Sequence, residues 1–377
     1  MPLNLTLASR NLFHDKLRFI ATMVGVVFSV VLVLVQMGLY EGFGRMVTTM
    51  IDHAEGDLWV MRDGTKCFED PSLLNLSIGK TIRETEGVEQ ATPLLIGFSD
   101  WRLPSGEMTP VFILGSELKE HSLDPWNIIE GSVDALKQPK AVAVDVSYTE
   151  RLGLKGLGTK ADIRGQQIDV AALTSGIRSF TTTPYIFTEI ARARSYIGAP
   201  KNAISYFLVN LKPGADVETV RKSLTSNIKN VEVLTRAEFN ARSREFWLFG
   251  TGAGAALFAG AILGLIVGTV IVAQTLYSST KDHLDEFATL RAMGSSNRYI
   301  YSVILYQAML NAIIGFALAS LVGFAVVWFT SSGALPVVIT PWIIGAIFAL
   351  TVAMCVLSGL TAIVRVVRID PVMVFTR

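Results

Sequence analysis

Charge is missing from three long stretches of this chain: residues 19–40, 246–280 and 299–364 contain no Asp, Glu, Lys or Arg. The 33 basic and 32 acidic residues are confined to the rest, and the 17% charged overall falls below the roughly 25% of soluble domains. Cysteine is nearly absent as well. Cys67 lies in the charged middle and Cys355 in an apolar run, which excludes a disulfide framework. His14, His53, His121 and His283 are scattered without metal-ligand spacing, so surface or core roles are expected for them. No H-E-x-x-H, G-x-S-x-G or other catalytic signature is present. The glycine-rich run Gly153-Leu154-Lys155-Gly156-Leu157-Gly158-Thr159-Lys160 is a near miss, because a phosphate-binding loop needs Gly-Lys followed by Ser or Thr. No enzyme activity, cofactor or metal site is therefore expected of the chain by itself.

What is there instead is length enough to cross a bilayer. Roughly 20 apolar residues span the hydrocarbon core as a helix, and the last uncharged stretch suffices for two, with Ser331-Ser332-Gly333-Ala334-Leu335-Pro336 and Thr340-Pro341 as turn chemistry between them. Four spans follow: 19–40, 246–280 with a stalk, 299–330 and 342–364. A signal peptide is disfavoured at the N-terminus, since the first run exceeds the roughly 7 to 15 residues of a signal core and no A-x-A site follows it. Arg10, Lys16 and Arg18 before the first span, Lys281, Arg291 and Arg298 in the 281–298 loop, and Arg365, Arg368 and Arg377 at the end place both termini and that loop in the cytoplasm. The 331–341 loop carries no base and belongs outside, with residues 41–245. That outer part holds 24 bases and 27 acids and no basic patch for nucleic acid.

The outer domain reads as mixed α and β. Asp57–Met61 and Val88–Leu95 have strand character around a helix at Ile78–Glu86, and the order recurs as Ile204–Leu211, Val217–Ile228 with Asp216 as N-cap, and Val231–Leu234. Two β-α-β units at the domain's two ends predict a ferredoxin-like layer. Residues 115–200, punctuated by glycine, are expected as an inserted, mostly β lobe. The fold class is thus a four-span α-helical membrane protein, N-terminus and C-terminus inside (1–18 and 365–377), with a large mixed α/β extracytoplasmic domain. Helical character from Glu238 to Thr280 and from Asn297 to Thr330 exceeds what a bilayer needs and predicts stalks.

Gly260, Gly264 and Gly268 fall on one face of the second span and predict close packing, either on another span or on a second copy of the chain. Gln36, Gln274, Gln307 and Asn311 are the strongest polar groups at membrane depth and are expected to make interhelical hydrogen bonds; none is ionisable, which argues against a proton or ion pathway. In the 281–298 loop, Phe287, Leu290 and Met293 recur at helical spacing before Gly294, predicting an amphipathic helix that docks a cytoplasmic protein or rests on headgroups.

This order of elements resembles the FtsX/MacB-like permease family of ATP-binding-cassette (ABC) systems. Ala8-Ser9-Arg10-Asn11-Leu12 with Lys16-Leu17-Arg18, the segment from Glu286 to Gly294 (E-F-A-T-L-R-A-M-G), and Arg368-Ile369-Asp370-Pro371-Val372-Met373-Val374-Phe375 are similar to its N-terminal, coupling and C-terminal motifs. Residues 91–102 and Gln274-Thr275-Leu276-Tyr277 resemble the DevC type within it. The resemblance implies a homodimer joined to a cytoplasmic ABC ATPase that binds the ATP. Glu286 and Arg291 would be polar contacts to that ATPase, Phe287 and Leu290 apolar anchors, and Gly294 the end of the coupling helix. It also implies a periplasmic membrane fusion adaptor, a TolC-like outer-membrane channel, and export of a lipid-like or other periplasmic cargo by mechanotransmission. An FtsX-like regulator of an envelope enzyme, or a ligand sensor, is the alternative; lipoprotein release is a third.

Overall fold

The computed structural model describes residues 3–14, 16–103, 105–282, 297–330 and 337–367, which group into two compact units: Phe43–Gly252, and Met1–Gly42 with Ala253–Arg377.

The second of these is helical. Helix α1 (Leu3–His14) is followed by α2 (Lys16–His53), and after the α/β unit come α7 (Ala253–Asp282), α8 (Asn297–Thr330) and α9 (Pro341–Val367). Among the described residues, α2 and α7–α9 are the four helices long and apolar enough to cross a membrane. Their shared core combines valine, isoleucine and small residues: Val26, Val30 and Leu34 of α2 meet Ala261 and Val272 of α7, Ala308, Ala312 and Ala319 of α8, and Ile343 and Ile347 of α9. Small residues let helix backbones approach where burial from lipid gives no driving force. The N-terminal segment, read from sequence only as a basic flank, forms α1 and buries Ala8 against Val303, Ile304 and Ile363.

Two span boundaries differ from the sequence reading. The first helix does not stop at Tyr40 but continues to His53, because Met46, Val47, Met50 and Ile51 keep helical spacing on a buried face beyond the first charges. At 38 residues it is about 57 Å long. The second helix does not run unbroken from residue 238. Helix α6 (Arg236–Glu245) passes into a π-turn at Phe246–Gly250, and Gly252 at φ +79° takes a left-handed conformation before α7 starts. A side chain is disfavoured at such a φ, so glycine marks the break.

In the α/β unit, the strands β1 (Leu58–Arg62), β3 (Val88–Arg102), β11 (Tyr206–Leu211) and β12 (Val231–Thr235) form an antiparallel layer in the order β12-β1-β11-β3. With α3 (Ile78–Glu84) and α5 (Val217–Asn227) between them in sequence, this is the ferredoxin-like arrangement. The Asp216 carboxylate accepts from Thr219 N–H at 2.8 Å to cap α5, and Thr235 with Glu238 forms a capping box on α6. Strand β1 is apolar at successive positions because both faces of the layer are covered. Leu58 and Val60 meet Ile82, Val220 and Leu224 of the helices, whereas Trp59 and Met61 meet Met50, Ile51 and Phe239.

The lobe is continuous with that layer. Strand β3, 15 residues long, leaves β11 and pairs with β4 (Met108–Ser116), so the lobe's first strand begins before residue 115. The sheet then runs β4-β9-β6-β8-β5, through β9 (Tyr185–Glu189), β6 (Ala141–Asp145), β8 (Gln166–Thr174) and β5 (Ile128–Gly131). Helix α4 (Ile190–Ile197) closes one face over Trp101, Ile113, Val144 and Ile186.

Candidate functional site: a glycine seam and a buried carboxyl

In the helical unit, the three glycines of α7 face α2 of the same chain. An ideal Cβ on Gly260 lies 2.6 Å from Gln36 Nε2, one on Gly264 3.0 Å from Leu32 Cδ2, and one on Gly268 2.1 Å from Ser29 Oγ. Helix α2 is approached from its other side too, where Gly315 and Gly323 of α8 leave room for Val26 and Leu34. Hydroxyls bond across the α2–α7 seam and between α9 and α7. Ser29 Oγ donates to the Gly264 carbonyl at 2.7 Å and Ser358 Oγ lies 3.0 Å from the Thr269 carbonyl. Gln274 and Asn311 do not take the part expected of the amides. Gln274 is exposed, and Gln36 Oε1 and both amide atoms of Asn311 are buried without a partner among the described residues. A serine is short enough to reach a neighbouring carbonyl across a glycine-width gap.

Glu286, Phe287, Leu290, Arg291 and Gly294 lie outside the described residues, as do His283 and the C-terminal motif from Arg368. His53 stacks on Trp126 with ring centroids 3.8 Å apart, and His121 Nδ1 lies 2.9 Å from Glu55 Oε2. No group of metal-ligating side chains occurs among the described residues.

In the α/β unit the structure reveals a site the sequence did not indicate. Glu69, on the loop after β1, is 7% exposed. Trp247 of the π-turn donates its indole N–H to Oε2 at 3.0 Å, and the Tyr185 hydroxyl of β9 donates to Oε1 at 3.3 Å. Burial outweighs these two donors and pushes the carboxyl up to about 7. Burial and the Glu69 charge likewise raise Cys67 and Tyr206, and the Tyr206 hydroxyl lies 3.1 and 3.0 Å from the Cys67 and Phe68 carbonyls. Nothing local in Lys66-Cys67-Phe68-Glu69-Asp70-Pro71 signals this, since the burying groups come from residues 185, 206 and 247. Beside it, Phe180 stacks edge-on against Phe43 of α2 at 5.3 Å and Trp247 at 4.6 Å. The 175–184 loop that carries Phe180 is tied by Asp145, whose carboxylate accepts from Ser147 N–H and hydroxyl, Thr174 hydroxyl and Ile177 N–H.

Residues 19–227 match the MacB-like periplasmic core domain and residues 258–371 the FtsX-like permease C-terminal family. No curated protein matches the chain. Among solved structures, the periplasmic region of MacB from Actinobacillus actinomycetemcomitans is 12% identical with a TM-score of 0.39, over 50% of this chain and 92% of that one. The extracellular domain of the noncanonic ABC-type transporter YknZ from Gram-positive bacteria is 15% identical with a TM-score of 0.36, over 47% and 99%. A permease-protein domain from Porphyromonas gingivalis is 18% identical with a TM-score of 0.33, over 48% and 89%. With more than half of its length inside one family match and most of the remainder inside the other, the chain belongs to the FtsX/MacB-like ABC permeases, multi-pass inner-membrane subunits with an extracytoplasmic domain that work with an ABC ATPase.

Proposed function

We propose that this permease is the membrane subunit of a DevC-type exporter that passes ATP-driven motion of a separate ATPase to its extracytoplasmic domain. The observation that carries the reading is the packing of the helical unit. The spans contain no Asp, Glu, His, Lys or Arg within 19–40, 253–280 and 299–364, and the α2–α7 seam is closed at glycine contact. A solute path through the membrane normally recruits ionisable or cavity-lining polar groups, whereas transmission of motion needs helices that move as packed bodies. The termini and the 281–298 loop lie in the cytoplasm in this reading, and two copies of the chain join two ATPase subunits that bind the ATP. The second copy docks on a face other than the glycine seam, which α2 already fills. A periplasmic adaptor and a TolC-like channel receive the lipid-like or other periplasmic cargo.

The test is a mild-detergent pull-down of the tagged chain from its native membrane, with ATP hydrolysis assayed for wild type, Glu286→Ala and Leu290→Ala. Recovery of an ATPase and an adaptor, with the ATPase lost in both variants, is the expected result. An ATPase that arrives with a cell-wall hydrolase and no adaptor would replace the exporter with an FtsX-like regulator. Absence of any ATPase would remove the coupling role of residues 286–294.

A further inference from the structure

The Glu69 carboxyl is buried where three separate pieces of the α/β unit meet: the Phe43–Val47 stretch of α2, the Phe246–Gly250 π-turn, and the 175–184 loop of the lobe. Each piece reaches this joint through aromatic contact, and Trp247 belongs to two contacts at once, packing on Phe180 and donating to Glu69. A π-turn inside a helical segment marks a place where the hydrogen-bond ladder is already out of register. Gly252, two residues after it, is the left-handed break before α7. The joint thus sits at two breaks in the helical backbone, and the indole hydrogen bond that ties the turn to it ends on a group able to carry charge.

The surroundings determine which protonation state the closed joint prefers. Cys67 on the same loop, Tyr185 of β9 and Tyr206 of β11 are the titratable groups that the Glu69 charge acts on. No cation is among the groups that act on the Glu69 carboxyl: Lys66 lies over the Phe246 ring at 6.0 Å, and Arg242 of α6 is held by Glu232. A carboxylate here has two donors and no counterion, so the closed geometry favours the neutral acid.

We propose that Glu69 is a proton-operated latch, which holds the π-turn through Trp247, and with it the Trp247–Phe180 contact to the 175–184 loop, when protonated, and releases the turn when it ionises and turns toward water. The latch makes the stiffness of this joint respond to extracytoplasmic pH near neutrality, the range in which burial has placed the group. It is independent of which ATPase, adaptor or cargo the chain serves.

Hydrogen exchange on the full chain in lipid nanodiscs, corrected for the intrinsic pH dependence of exchange, tests it. Residues 43–50 and 246–252 of the wild type are expected to open about tenfold more between pH 6 and pH 8.5, because only the open form ionises at the ordinary carboxylate pKa. Glu69→Gln, whose amide oxygen still accepts from Trp247, is expected to keep the pH 6 protection throughout. Trp247→Phe retains an aromatic ring but removes the donor that stabilises the carboxylate, and is expected to move the midpoint to higher pH. Wild-type exchange that is flat across this range overturns the latch, as does a Glu69→Gln chain with the same transition. Should Glu69→Gln fail to fold, the Trp247→Phe midpoint decides: an unmoved midpoint overturns the proposal and an upward move supports it.

Discussion

The seam between α2 and α7 permits a prediction with an internal order. An alanine at Gly268 places its methyl 2.1 Å from Ser29 Oγ, 2.4 Å from Ser29 Cβ and 2.8 Å from Met354 Sδ. Ser29 Cβ is fixed to the α2 backbone, so the helices must separate, an overpacking effect of about 1–3 kcal/mol. Separation also stretches the 2.7 Å bond from Ser29 to the Gly264 carbonyl, worth about 1 kcal/mol. The helix propensity of alanine returns roughly 1 kcal/mol, leaving a net destabilisation of about 1–3 kcal/mol. At Gly264 the methyl meets Leu32 Cδ2 at 3.0 Å, the end of a side chain that can rotate away, and the net effect is close to zero. At Gly260 it meets Gln36 Nε2 at 2.6 Å, a terminal amide that must swing aside, and the effect is intermediate. SDS titration of the purified chain, followed by far-ultraviolet circular dichroism, measures all three. Destabilisation by Gly264→Ala equal to that by Gly268→Ala would refute the reasoning. So would a Gly268→Ala chain that unfolds normally but loses half its sedimenting mass, since the face would then join two copies.

Three other outcomes follow from the same contacts. Glu69 titrates near 7 in the folded unit against an ordinary 4.5, so its contribution is fully present below pH 4.5 and is lost as pH rises through 7, by about 3 kcal/mol. Chemical denaturation at pH 5 and 8.5 should show this loss in the wild type and its absence in Glu69→Gln. Asp145→Ala removes the acceptor for four donors on residues 147, 174 and 177 and should destabilise the α/β unit by about 3 kcal/mol. Its exchange should rise first in the 175–184 loop. Asn311→Leu removes an amide that is 1% exposed and unpartnered among the described residues, so SDS titration should find it neutral or stabilising, whereas Ser29→Ala should lose about 1 kcal/mol.

How much of this was legible depends on whether a signal is local. The ferredoxin-like layer was, because its strands are short apolar runs and α5 carries its own cap; Asp216 before Val217 is readable three residues at a time, and the cap is present. The glycine spacing was legible as a packing face, but its partner was not. Spacing fixes which side of α7 is small, and only the positions of Ser29, Leu32 and Gln36 on another helix decide what fills it. The span limits fail for a related reason. Absence of charge measures apolarity, not membrane depth. It carried the second span back to Phe246, where the aromatic residues in fact form the turn that packs on Phe180 and Glu69. It also ended the first span at Tyr40, although Met46, Val47, Met50 and Ile51 continue the helix against protein instead of lipid. Glu69 is the limiting case. An acidic residue followed by Asp and Pro reads as a solvated turn, and its burial exists only once residues 43, 180, 185, 206 and 247 have been brought together by the sheet. The residue with the most perturbed carboxyl in the α/β unit therefore sits where sequence reasoning had least to say, since tertiary structure alone supplies both its desolvation and its donors.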